Sequence, residues 1–119
     1  MTETEGNDHD PLPNKLILAI VQSEDADDAL AALTGRGLRV TRLASTGGFL
    51  RQGNTTLLVG TTQARVEEAL DVLRATCRTR SAHVAVPAEP PSLVHSYLIE
   101  VEVGGATVFV FDIAHYEQI

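Results

Sequence analysis

The run KLILAIVQ, Lys15–Gln22, is the strongest constraint on what this chain can fold into. It is continuously aliphatic, of strand length, and lacks the alternation that would leave one face to water. It therefore reads as a central strand buried on both faces. The core around it has to be aliphatic, because the sequence has three Phe, two Tyr and no Trp. At 119 residues there is room for one domain that buries such a core without staples.

The strand runs straight into a helix signal. Ser23 is a suitable N-cap, Glu24 and Asp25 sit where the helix dipole favours acids, and Ala26, Ala29, Leu30 and Leu33 keep helical spacing. Gly35 and Gly37 supply a stop. LRVTRLAS, Leu38–Ser45, alternates, with Leu38 and Val40 on one face and Arg39 and Thr41 on the other. NTTLLVG returns as the next strand. A second helix follows, capped by Thr61 or Thr62, with Val66, Ala69, Leu70, Leu73 and Cys77 in one stripe. His83–Pro87 reads as a short strand, and the segment around Pro90 and Pro91 breaks regular structure. YLIEVEV and ATVFVFDI, joined by Gly104-Gly105, read as a late hairpin. The order β-α-β-β-α-β predicts an α+β, ferredoxin-like (split βαβ) sandwich with an extra C-terminal β-hairpin. Apolar residues on both sides of the first strand and of Val108–Phe111 leave a sheet face that an oligomer would cover.

Charge narrows the function classes. The net charge is −7, and residues 1–14 carry Glu3, Glu5, Asp8 and Asp10 with no Lys or Arg. That stretch reads as a disordered acidic extension, leaving 15–119 as the folded domain. A general nucleic-acid surface needs clustered excess positive charge, which this chain lacks. A local anion site is compatible with Arg36, Arg39, Arg42 and Arg51, since no acid occurs between Thr34 and Ala64. One cysteine rules out an intramolecular disulfide and a cysteine-cluster metal site. No apolar run approaches the ~20 residues of a membrane helix, and no basic-then-apolar signal opens the sequence, so the expectation is a cytoplasmic protein without a membrane partner.

Nothing in the pattern proposes an enzyme. Cys77 lies on the apolar stripe of the second helix and reads as a packed thiol. The four histidines have no metal-site spacing, so no metal and no cofactor are expected. Glu100 and Glu102 share a strand face and read as solvated, and no base is placed beside Ser45-Thr46. The segment STGGFLRQGNTT carries more. It is too long for a tight hairpin, where loops of about 2–5 residues are usual. Gly47 and Gly48 can present successive N–H groups to an anion, Arg39 and Thr41 can donate to phosphate, Phe49 offers a ring, and Asn54 can pair with an adenine edge. Singly, each has an ordinary structural reading; together they point to a nucleotide.

The segments LILAIVQ, RVTRLASTGGFLRQGNTTLLVG and VEVGGATVFV resemble the PII-like cyclic di-AMP receptor proteins, small signal-binding trimers of bacteria. The resemblance runs from Lys15 to about Gln118. It implies a ferredoxin-like protomer forming a homotrimer, with ligand sites in the clefts between subunits and no catalytic residues. By motif, Asn54 and the backbone at Gly60 would read the base, Arg39 and Thr41 would hold phosphate, and the backbone at Gly48, Phe49 and Leu50 would cradle the ligand. Gln118 would reach it from a neighbouring subunit. Signalling would proceed by loop ordering toward a downstream protein that the sequence does not name. PAEPPSLVHSYLIEVEVGG departs from the family's Pro-Tyr-Pro-like segment, and Ile119 replaces a C-terminal aromatic residue. Two alternatives stand beside this reading: a PII-type sensor of ATP, ADP or another anion, and a structural trimer whose Phe49 and Arg39 are interface residues.

Overall fold

The computed structural model describes residues 11–43, 53–87 and 96–119. The elements are β1 (Lys15–Gln22), α1 (Ser23–Gly35), β2 (Arg39–Leu43), β3 (Asn54–Thr61), a 3-10 turn (Gln63–Arg65), α2 (Val66–Thr76), β4 (Arg80–Pro87), β5 (Ser96–Val103) and β6 (Ala106–Asp112). The main sheet has the order β2-β3-β1-β6, and every neighbouring pair in it is antiparallel. β1 is central, as its unbroken aliphatic run requires. It pairs along its whole length with β3, Lys15 opposite Thr61 and Gln22 opposite Asn54. On its other edge it pairs with β6, Lys15 opposite Asp112.

Register decides which residues meet the helices. Ile17, Ala19 and Val21 of β1 lie beside Leu57 and Val59 of β3 on one face, all of them buried. Onto this face pack Ala26, Ala29 and Leu33 of α1 and Val66, Ala69, Val72 and Leu73 of α2. The alanines let the two helices sit close to the sheet, and Leu33 and Leu57 fill the space that remains. Burying each such large aliphatic side chain contributes about 1.5–3 kcal/mol. The result is an α+β fold with both helices on one side of an antiparallel sheet.

α1 ends in a Schellman motif. The Leu38 N–H donates to the Leu33 carbonyl and the Gly37 N–H to that of Thr34. Gly37 adopts φ 80°, which explains the glycine, and buried Leu38 packs beyond buried Leu33. This stop delivers Arg39 to the first position of β2. Neither helix takes the side-chain cap expected from sequence. The Ser23 hydroxyl instead meets the Thr55 hydroxyl at 2.8 Å, tying the end of β1 to β3. At the second helix the Gln63 N–H, an otherwise unpaired donor of the first turn, is taken by the Asn14 side chain at 3.0 Å.

Asn14 extends the folded region beyond the expected boundary. Its N–H donates to Thr61 O and its carbonyl accepts from Ile113 N–H, so Asn14, read as the end of a solvated tail, is tied to the sheet. Residues 1–10 lie outside the described part.

The expected C-terminal hairpin is a correction. β5 pairs with β4 in a separate two-stranded ribbon, while β6 pairs with β1 in the main sheet. The strand that takes the fourth place in the sheet is therefore Ala106–Asp112, and the additional hairpin is β4–β5, inserted before it. Gly104 and Gly105, both at positive φ, carry the chain from one sheet to the other. Their amides donate to the Gln22 side chain and the Cys77 carbonyl, respectively. Pairing of β6 with β1 sets Val108 against the core. The foot of the ribbon is tied to α1 by Arg80, which donates to the buried Asp25 carboxylate at 2.8 Å.

Leu33→Ala should lower unfolding free energy by about 2–5 kcal/mol, the usual result of emptying a packed core site. A side chain at Gly104 meets left-handed backbone and overlaps the Arg78 carbonyl. Gly104→Ala should therefore cost at least about 1–2 kcal/mol; urea titration of both variants measures these losses.

Candidate ligand site

The face of the sheet away from the helices carries the residues singled out for binding. Arg39 lies opposite Gly60 and Thr41 opposite Leu58, and Asn54 sits opposite Gln22 at the far end of β3. Between them runs an apolar stripe: Leu16, Leu18 and Ile20 of β1, flanked by Phe109 and Phe111 of β6. Both phenylalanines are 47% exposed and stack on each other with centroids 6.2 Å apart; Leu43 at the opposite edge is 41% exposed.

At the Gly60 end the surface folds into a cavity of about 360 Å³. One wall is the turn Gly37–Arg39, the floor is Gly60 with Thr61 and Thr62, and Arg65 enters from the 3-10 turn. Pro11–Pro13 and Tyr116–Gln118 line it as well. Gly60 has no backbone need to be glycine. A Cβ there would meet only Pro13, at 3.7 Å, an ordinary contact. Its missing side chain leaves room above the sheet beside Arg39.

The two arginines of the cavity differ electrically. Arg65 is held: its Nε donates to Glu68 at 2.9 Å and its Nη2 to the Arg36 carbonyl at 2.7 Å. That hydrogen bond from Arg65 is the largest influence on Glu68 and keeps its carboxyl below the usual range. Arg39, by contrast, has no hydrogen-bond or ion-pair partner among the described residues, whereas Arg42 on the same strand is taken by Asp27. An exposed guanidinium with no partner, set against a cavity, is suited to an incoming anion.

Arg39, Gly60 and Gln118 thus meet at one cavity. Asn54 does not join them. Six residues of extended chain separate it from Gly60, roughly 20 Å at the strand rise, so one protomer cannot present both to the same base. Asn54 instead borders a smaller cavity with Gln22, Gly104 and Thr107. Thr41 lies on the same sheet face as Arg39, outside either cavity. Gly47, Gly48, Phe49 and Leu50 fall outside the described residues. Sequence reading passed over Leu12, Pro13, Arg65 and Tyr116. Their only signal was a place near the termini or in a turn, and long-range folding is what gathers them. Cys77 is buried, and desolvation pushes its thiol up, as a packed role requires. Among the described residues no group of His, Cys, Asp and Glu could hold a metal ion, and no helix is long and apolar enough to cross a membrane.

The fold is that of a small α+β protein, two helices on one face of an antiparallel sheet, with a cavity at one end of that sheet. Residues 14–119 match the family model described as the cyclic-di-AMP receptor, and the chain belongs to that family, which is PII-like. It is a family of receptors. The chain is also similar to a solved structure described as a functionally unknown protein from Pediococcus pentosaceus, at 35% identity and a TM-score of 0.71, covering 92% of this chain and 100% of the other.

Gly60→Ala tests whether the glycine serves the cavity or the fold. Stability should hold or rise by up to about 1 kcal/mol, as for other strand glycines, while nucleotide binding weakens; thermal denaturation and calorimetry report the two effects separately.

Proposed function

We propose that this chain is a non-enzymatic cytoplasmic receptor that binds cyclic di-AMP in clefts between subunits of a homotrimer and signals by loop ordering. The observation that carries the reading is Arg39, without a partner among the described residues, beside Gly60 in a member of the cyclic-di-AMP receptor family. In this reading Arg39 and Thr41 hold phosphate. Asn54 and the backbone at Gly60 read adenine, and Gly47, Gly48, Phe49 and Leu50 cradle the ligand. Gln118, which lines the same cavity as Arg39 and Gly60 within one protomer, contacts it from there.

The separation of Asn54 from Gly60 favours a site assembled from two protomers, each contributing one end of β3. The exposed Phe109–Phe111 stack and the apolar stripe beside it give those protomers a surface to share. No cofactor is needed, since the ligand itself is the signal. The acidic balance of the chain is set against nucleic acid as a partner, and a downstream protein would read the ordered loops.

Titration calorimetry with cyclic di-AMP, run alongside sedimentation, is the direct test. A trimer should bind at micromolar concentration or below, and ATP and ADP should compete poorly. Asn54→Ala should weaken binding by about 1–3 kcal/mol, the effect of leaving a buried polar group unpaired. Arg39→Gln should weaken it comparably and flatten its salt dependence. A confirmed trimer that gives no heat with the dinucleotide, or a stable monomer, would sink the reading.

A further inference from the structure

Among the elements around the Arg39–Gly60 cavity, one lies outside the region shared with the family. The match begins at residue 14, whereas Pro11, Leu12 and Pro13 line the cavity. We propose that this Pro-Leu-Pro segment is a ligand-contacting wall of the site, and that the Leu12 side chain covers the base of the bound nucleotide. The inference rests on the nucleotide reading above and deepens it.

Three features make the segment a wall. Asn14 pins its end with bonds to Thr61, Gln63 and Ile113, which belong to the strand end, the turn and the exit of β6. Proline at 11 and 13 fixes φ at both positions and drives Leu12 toward extended backbone. The segment therefore holds its shape without belonging to a helix or strand, and little chain entropy is lost when a ligand settles against it. Pro13 lies over Gly60, so the wall stands where the sheet has no side chain of its own.

Leu12 is among the lining residues and is 70% exposed, so it has apolar surface left for a ligand to cover. Arg39, one of the two arginines of the cavity, suits the phosphate, which leaves an aliphatic wall for the apolar face of a purine. Tyr116 is half-exposed in the same lining and offers a second apolar surface.

The test uses full-length protein and cyclic di-AMP calorimetry. Leu12→Ser should weaken binding about tenfold, the effect of losing roughly half the burial of a leucine side chain. Leu12→Met should restore most of it, and because Leu12 is exposed, neither variant should shift the unliganded melting temperature. A charge control, Glu3→Gln, Glu5→Gln, Asp8→Asn and Asp10→Asn together, should stay within about threefold of wild type at physiological salt, where screening is strong. Wild-type affinity in Leu12→Ser overturns the proposal. So does an equal loss in the charge control, which would assign the effect to the acidic residues. Absence of binding by the wild-type chain instead overturns the nucleotide reading, and the two failures are told apart by that first titration.

Discussion

β1 is apolar on both faces, and the two helices can cover only one of them. Most of the molecule follows from that imbalance. Ile17, Ala19 and Val21 obtain their cover from α1 and α2, which fixes the register of β3 and β6 around them. Leu16, Leu18 and Ile20 turn the other way, toward a face edged with exposed phenylalanine. A sheet built like this hides one set of side chains under the helices and leaves the other partly exposed. The polar residues suited to a nucleotide, Arg39, Thr41 and Asn54, lie on this same second face.

The parts of the fold that were legible in the sequence were those decided locally. The aliphatic run of β1, the alternation in β2 and the apolar stripe of α2 each follow from side-chain period within a few residues. Gly37 was also legible as a stop, because the Schellman turn needs left-handed backbone at that position. The Gly104-Gly105 step misled for the opposite reason. Two glycines between alternating strands are compatible with a hairpin and equally with a crossing between sheets, and the choice rests with the vacant edge of β1, far away in sequence. Ser23 is not the cap because the helix already begins at it, with Gln22 in the capping position, and its hydroxyl meets that of Thr55.

The candidate site divides along the same line. Arg39, Thr41, Asn54 and Gly60 could be named from strand alternation and motif, since their common face is set by period two. Their distribution along that face could not, because it depends on how β2 and β3 are offset. Leu12 and Tyr116 were invisible for a simpler reason: neither sits in a periodic element, and only Asn14 and the chain beyond β6 bring the two ends to one cavity. The PII-like receptor family supplies the ligand class, while the N-terminal segment lies outside the part of the chain that defines the family.

The pairing of β1 with β6 also sets an order of events during synthesis. Lys15 finds its partner at Asp112, nearly the whole domain later, and such distant pairings slow folding because the closure entropy comes before the contacts that offset it. While the chain is still emerging from the ribosome, β1, β3 and the helices can assemble, but one edge of the central strand stays bare until the last strand is released. The nascent protein thus passes through a stage with an open, aliphatic strand edge, the kind of surface that chaperones bind and that neighbouring chains on a crowded polysome can capture.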